Sequence, residues 1–192
     1  MASQKRRRYA GRTLTILLVL ILAVLNAPFP VKTEVPALEI KLDDPSYVVE
    51  RTITVSGSYH INAFKENSFH GQISVSEYFL TSEKMVSPIY LSKESSPLEY
   101  YSYRTDPPSS PRAERYNYTL GYIAAKPFMG DPIIMVLSEN PLHTDAGAIT
   151  GAGSWGNWSE EDGVCIVPYA KNRDEAISTL IIRDLYHPEM PD

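Results

Sequence analysis

Residues 53–75 read ITVSGSYHINAFKENSFHGQISV, and the period of their apolar positions decides the fold. Ile53, Val55, Gly57, Tyr59 and Ile61 occupy alternate positions, and Phe69, Gly71, Ile73 and Val75 do so again after a polar gap. Successive side chains leave a strand on opposite sides, so a period of two marks a strand with one buried face. The gap, residues 62–68 with sequence NAFKENS, is polar and turn-forming, and is expected to close the two runs into a long-looped hairpin. In that pairing Ser56, Ser58 and His60 point outward together with His70, Gln72 and Ser74.

Working outward, further strands are expected at residues 88–91, 98–104, 116–124, 133–137 and 164–169. Residues 133–137, IIMVL, are continuously apolar, which suits a central strand covered on both faces. Residues 105–114, TDPPSSPRAE, hold three prolines and read as a surface loop between two Tyr-rich strands. A helix is expected over residues 172–186. Asn172 suits its N-cap, Glu175 follows three positions later as in a capping box, and Pro188 ends it. Ile177, Leu180, Ile181 and Leu185 recur at three- and four-residue steps, the stripe of an amphipathic helix. The expected fold class is α+β: a mainly antiparallel sheet of about five to seven strands, covered by the C-terminal amphipathic helix.

Ahead of this sheet stands a different kind of sequence. Residues 1–12 carry Lys5, Arg6, Arg7, Arg8 and Arg12, and residues 13–25 read TLTILLVLILAVL. Basic residues stay on the cytoplasmic side while an apolar run gains free energy in hydrocarbon. Residues 13–31 are therefore expected to form a transmembrane signal-anchor behind a cytoplasmic head, giving a single-pass cell-membrane protein with its C-terminal domain outside. Leu25-Asn26-Ala27 before Pro28 is a poor cleavage site, because Leu25 is bulky where a small residue is wanted. A cut there would make the domain a secreted one. Residues 32–46, interrupted by Pro36 and Pro45, read as a linker, and residues 47–192 as one extracytoplasmic domain.

Composition narrows the function classes. Five of the 18 basic residues sit in the head and none of the 23 acidic ones do, so the remainder is strongly acidic. Phosphate binding needs clustered Lys and Arg, which argues against a nucleic-acid partner. A single cysteine, Cys165, allows no internal disulfide and stands in an apolar run where a buried, inert thiol is expected.

Four features carry candidate chemistry. His60 and His70 flank the hairpin loop on one outward face, with Glu66 in the loop, and are the candidate metal ligands; a catalytic zinc needs three protein ligands and an open position. Ser154, in Gly151-Ala152-Gly153-Ser154-Trp155-Gly156, has a faint likeness to a nucleophile elbow, but Ala152 replaces the first glycine of that motif. Residues 145–163 combine five glycines with Trp155, Trp158, Glu160, Glu161 and Asp162; the two indoles either fold back onto the sheet or stand out as a stacking surface. Tyr116, Tyr118 and Tyr122 share one parity, as a sugar-stacking row would. No catalytic residue and no cofactor is assigned.

Two segments, VSGSYHINAFKENSFHGQISVSEY and VCIVPYAKNRDEAISTLI, resemble small membrane-anchored or exported proteins of Gram-positive bacteria. In those an F-x-G-x-I-x-V strand precedes a P-x-A-K-N-R-x-E-A helix start. The matching residues are Phe69, Gly71, Ile73 and Val75, then Pro168, Ala170, Lys171, Asn172, Arg173, Glu175 and Ala176. The resemblance implies an exported location and brings no activity with it. The expected role is a non-enzymatic interaction at the cell envelope, with an envelope protein or glycan as partner. A small metal- or serine-dependent hydrolase and a carbohydrate-binding module are the alternatives.

Overall fold

A computed structural model of the chain describes residues 12–17, 19, 27–62, 65–91, 95–104, 114–137 and 158–187. Its body is one antiparallel sheet of eight strands: β1 (Pro28–Lys41), β2 (Val48–His60), β3 (Ser68–Val75), β4 (Ile89–Tyr90), β5 (Ser96–Arg104), β6 (Glu114–Lys126), β7 (Gly130–Val136) and β8 (Val164–Pro168). Their order across the sheet is β4-β3-β2-β1-β8-β7-β6-β5. The two ends of this row curl toward each other. Met85 bridges to Tyr100, Val86 N–H donates to Glu99 O, and the Tyr100 hydroxyl donates to Ile73 O at 2.6 Å. The sheet is thereby nearly closed into a barrel.

Alternation along the strands divides the apolar residues between two cores. Val35 and Ala37 of β1, Ile53 and Val55 of β2, Phe69 and Ile73 of β3, Leu98 and Tyr100 of β5, Tyr118 and Leu120 of β6, and Ile134 of β7 pack inside the barrel. Leu38, Ile40 and Leu42, with Ile133, Met135, Cys165 and Val167, face outward and are covered by helix α1 (Arg173–Ile182) through Ala176 and Leu180. β7 and β8 thus bury both faces, which is why residues 133–137 are apolar without interruption.

Two features of the sequence reading are corrected. The sheet has eight strands curled into a barrel, not an α+β layer of five to seven, and the additional strand is β1. Its residues Pro28 to Val31 fall in the segment expected to be the anchor, and the rest of it in the expected linker. Since β1 pairs with β2 from Pro28↔His60 to Ile40↔Val48, the apolar segment does not continue as a helix to Val31. Residues 12–17 and 19 are helical, but among the described residues no helix is long and apolar enough to cross a membrane. The transmembrane signal-anchor, and the single-pass membrane location that followed from it, are set aside on this finding.

The prolines of β1 explain how it forms. Pro28, Pro30 and Pro36 all have even parity, and the Pro36 carbonyl accepts from Tyr169 N–H on the β8 side. The missing N–H groups of that parity therefore face away from β2, along a stretch where β8 is not yet alongside, since β8 pairing begins at Ala37↔Pro168. Proline costs no ladder bond there. The C-terminal helix is shorter than the expected 172–186. Asp184 takes a left-handed φ of 58°, and Leu185 N–H donates to Leu180 O while Asp184 N–H donates to Ile181 O, a Schellman stop.

Candidate functional site

The outer face of β2 and β3 carries the polar residues that the hairpin reading placed there. Thr54 faces Ser74, Ser56 faces Gln72, Ser58 faces His70 and His60 faces Ser68. Histidine and serine alternate in a checkerboard, and the two histidines lie on its diagonal. Their ring centroids are 4.6 Å apart with an interplanar angle of 62°. Ser58 Oγ lies 3.1 Å from His60 Nε2, and Ser68 Oγ lies 3.2 Å from His70 Nε2. The pKa of His70 is lowered, first by partial burial and then by the charge of His60. Its contribution to stability is full above 6.5 and is lost as the pH falls through its lowered folded value.

The backbone beneath this face is held tightly. Gly57 pairs with Gly71 one row further in, and a Cβ on Gly71 would stand 2.3 Å from Ser56 O and 2.7 Å from the Phe69 ring. The strands approach too closely there for any side chain, and the Phe69 ring fills the space both glycines leave. Register across the pair is consequently fixed.

Glu66, the third group considered for a metal, is exposed in the loop, where its carbonyl accepts from Asn62 Nδ2. Among the described residues no group of three or more His, Cys, Asp and Glu side chains converges. Ser154 and Trp155 lie outside the described residues. Trp158 packs against the outer core beside α1, and Cys165 is buried in that core, where burial pushes its thiol up to about 12. The tyrosine row does not form. Leu120 is an extra residue between Thr119, which faces Glu99, and Gly121, which faces Leu98. This bulge reverses parity, so Tyr118 is buried inside the barrel while Tyr122 is exposed outside.

A second constellation escaped the sequence reading. Glu39 has the same odd parity as Val35 and Ala37 and is 2% exposed. Its Oε2 accepts from Arg51 Nε at 2.6 Å and its Oε1 from the Tyr47 hydroxyl at 2.5 Å. The Arg51 guanidinium lies 5.5 Å from the centroid of the Tyr78 ring. Burial, followed by the bond to Glu39, pushes the Tyr47 phenol up to about 12. Burial likewise raises the Tyr78 phenol, with the Glu39 charge adding to it. The one available signal was a charged pair, Glu39 and Arg51, at the core parity of two strands. Both oxygens of this buried acid are satisfied by neighbouring donors, so the network ties Tyr47 and Arg51 together at the end of the barrel.

No family model, curated protein or solved structure matches the chain.

Proposed function

We propose that this chain is a non-enzymatic interaction domain that recognises a protein partner with the outer face of β2 and β3. The observation that carries the reading is the filling of the barrel. Tyr59, Phe69, Tyr100, Leu98, Leu120 and Ile123 are all at most 1% exposed, so the interior is packed core instead of a ligand chamber. Recognition then falls to the outside. There, the short hydroxyl side chains of Thr54, Ser56, Ser58 and Ser74 stand beside His60, His70 and the exposed Tyr90. Tyr and small polar side chains together supply contact area and adaptable hydrogen bonds at low entropic cost. The carbohydrate-binding alternative needs a row of accessible tyrosines, and burial of Tyr118 removes the middle ring of the three.

The test is photocrosslinking in the native cells. A benzoylphenylalanine at Ser56 is expected to give one discrete protein adduct, and the same group at Ile182, exposed on α1, none. Equal adducts from both positions, or none from Ser56, would overturn the assignment of this face.

A further inference from the structure

We propose that His60 and His70 form a two-imidazole chelate for a divalent late transition metal, Cu2+ in preference to Ni2+ or Zn2+, on the outer face of β2 and β3. The inference stands on the geometry of the two rings and is independent of the partner assigned to that face.

Metal–imidazole bonds are about 2.0–2.1 Å long, so two nitrogens bound side by side to one ion sit about 3 Å apart. Rings whose centroids are 4.6 Å apart and inclined at 62° stand close enough for one ion to take a nitrogen from each. Both histidines project from paired strands whose register holds without a break from Ile53↔Val75 to His60↔Ser68, and a chelate on rigid elements forfeits little entropy when it closes.

The serines complete the argument. Each hydroxyl is matched to one nitrogen of one ring, Ser58 to His60 Nε2 and Ser68 to His70 Nε2. A hydroxyl that accepts from Nε2–H leaves Nδ1 with a bare lone pair, and a hydrogen bond to the far nitrogen is the usual device that orients a metal-binding imidazole. With nitrogen donors alone the site selects the late first-row metals, which bind imidazole well, over Mg2+ and Ca2+, which take oxygen. Copper stands highest for such a pair in the general affinity order. Two positions from the protein leave the others to water or to a donor from a bound partner.

The experiment titrates Cu2+ into the full chain, stripped of metal, by calorimetry and by electron paramagnetic resonance at neutral pH. One strong site is expected, with nitrogen superhyperfine splitting from two imidazoles. Losing one arm of a chelate removes the high effective concentration of the second, so His60→Ala and His70→Ala are each expected to weaken this site about tenfold or more. His187→Ala, which removes a histidine of the C-terminal segment, is expected to leave it unchanged. Circular dichroism of each variant checks that the fold persists; for a variant that fails this check, His→Gln at the same position replaces it. Wild-type affinity in either folded ring variant, a spectrum with no imidazole nitrogen, or an equal loss on His187→Ala overturns the proposal.

Discussion

Glu39 and Arg51 show at the scale of single residues how the barrel tolerates charge in its interior. Removing ions from water costs several kcal/mol each, and the cost is met only where geometry and further hydrogen bonds are good. Here the guanidinium, the Tyr47 hydroxyl and both carboxylate oxygens are engaged, and the two charged side chains are 9% and 3% exposed. Deleting one partner strands the other. Glu39→Ala is therefore expected to destabilise the fold by about 3–5 kcal/mol in urea denaturation, whereas Glu39→Met with Arg51→Met lies close to wild type. A double variant as unstable as the single one would show that the pair contributes through something other than its charges. Tyr47 gives the same network a pH signature. Its folded value of about 12 lies above the ordinary 10, because burial and the neighbouring carboxylate both favour the neutral phenol. Stability from this group is full below pH 10 and disappears as the pH rises through about 12. Tyr47→Phe is expected to flatten that part of the alkaline unfolding curve, measured as denaturation midpoint against pH; an unchanged slope would remove the phenol from the network. Other buried phenols, Tyr78, Tyr100 and Tyr118, are raised as well, so the flattening is partial.

At the scale of elements, the sequence was legible wherever one face of a segment is buried and the other is not. The alternation Ile53, Val55, Gly57, Tyr59 and its counterpart Phe69 to Val75 specified the β2–β3 hairpin down to which residues face outward, and hence the meeting of His60 with His70. The helix start was legible too, since Asn172 Oδ1 accepts from Glu175 N–H, and the Glu175 carboxylate reaches back to Lys171 N–H and to the Asn172 side-chain amide. β1 was misread for two physical reasons. Its three prolines look like breaks unless their shared parity is noticed, and its residues Leu38 to Ile40 are buried on both faces, which erases the alternation that marks a strand. The Leu120 bulge was also invisible, because a single extra residue changes nothing in composition while it turns every later side chain to the other face. The stop of α1 at Ile182 depends on Asp184 adopting a left-handed φ, which Asp tolerates better than most residues but signals far more weakly than a glycine would.

For the whole molecule, β1 is the element on which closure depends. It is bonded to β2 along nearly its entire length and to β8 through Ala37↔Pro168 to Lys41↔Val164, so it joins the start of the described sheet to its end. Like β7 and β8 it feeds both cores, sending Val35 and Ala37 inward and Leu38 and Ile40, followed by Leu42 just past its end, toward α1. Arg173 fastens the same junction, donating from Nη1 to Lys41 O at 2.6 Å and from Nη2 to Leu42 O at 2.8 Å. None of the core residues among those described precedes Val31. A chain begun at Pro28 is accordingly expected to unfold at the same denaturant midpoint as the full chain. One begun at Leu38 loses the odd-parity residues that seal the interior and most of the ladder to β2, and is expected to show no cooperative transition and no near-ultraviolet dichroism. The pairing of β1 with β8 spans almost the whole folded part, and contacts so distant in sequence form late because loop closure precedes any reward. The shortened chain would therefore accumulate as separated hairpins such as β2–β3, not as a seven-stranded barrel. A cooperative transition in the Leu38 chain would mean that β2 and β8 can meet without β1, and a fallen midpoint in the Pro28 chain would place part of the fold's support before the first strand.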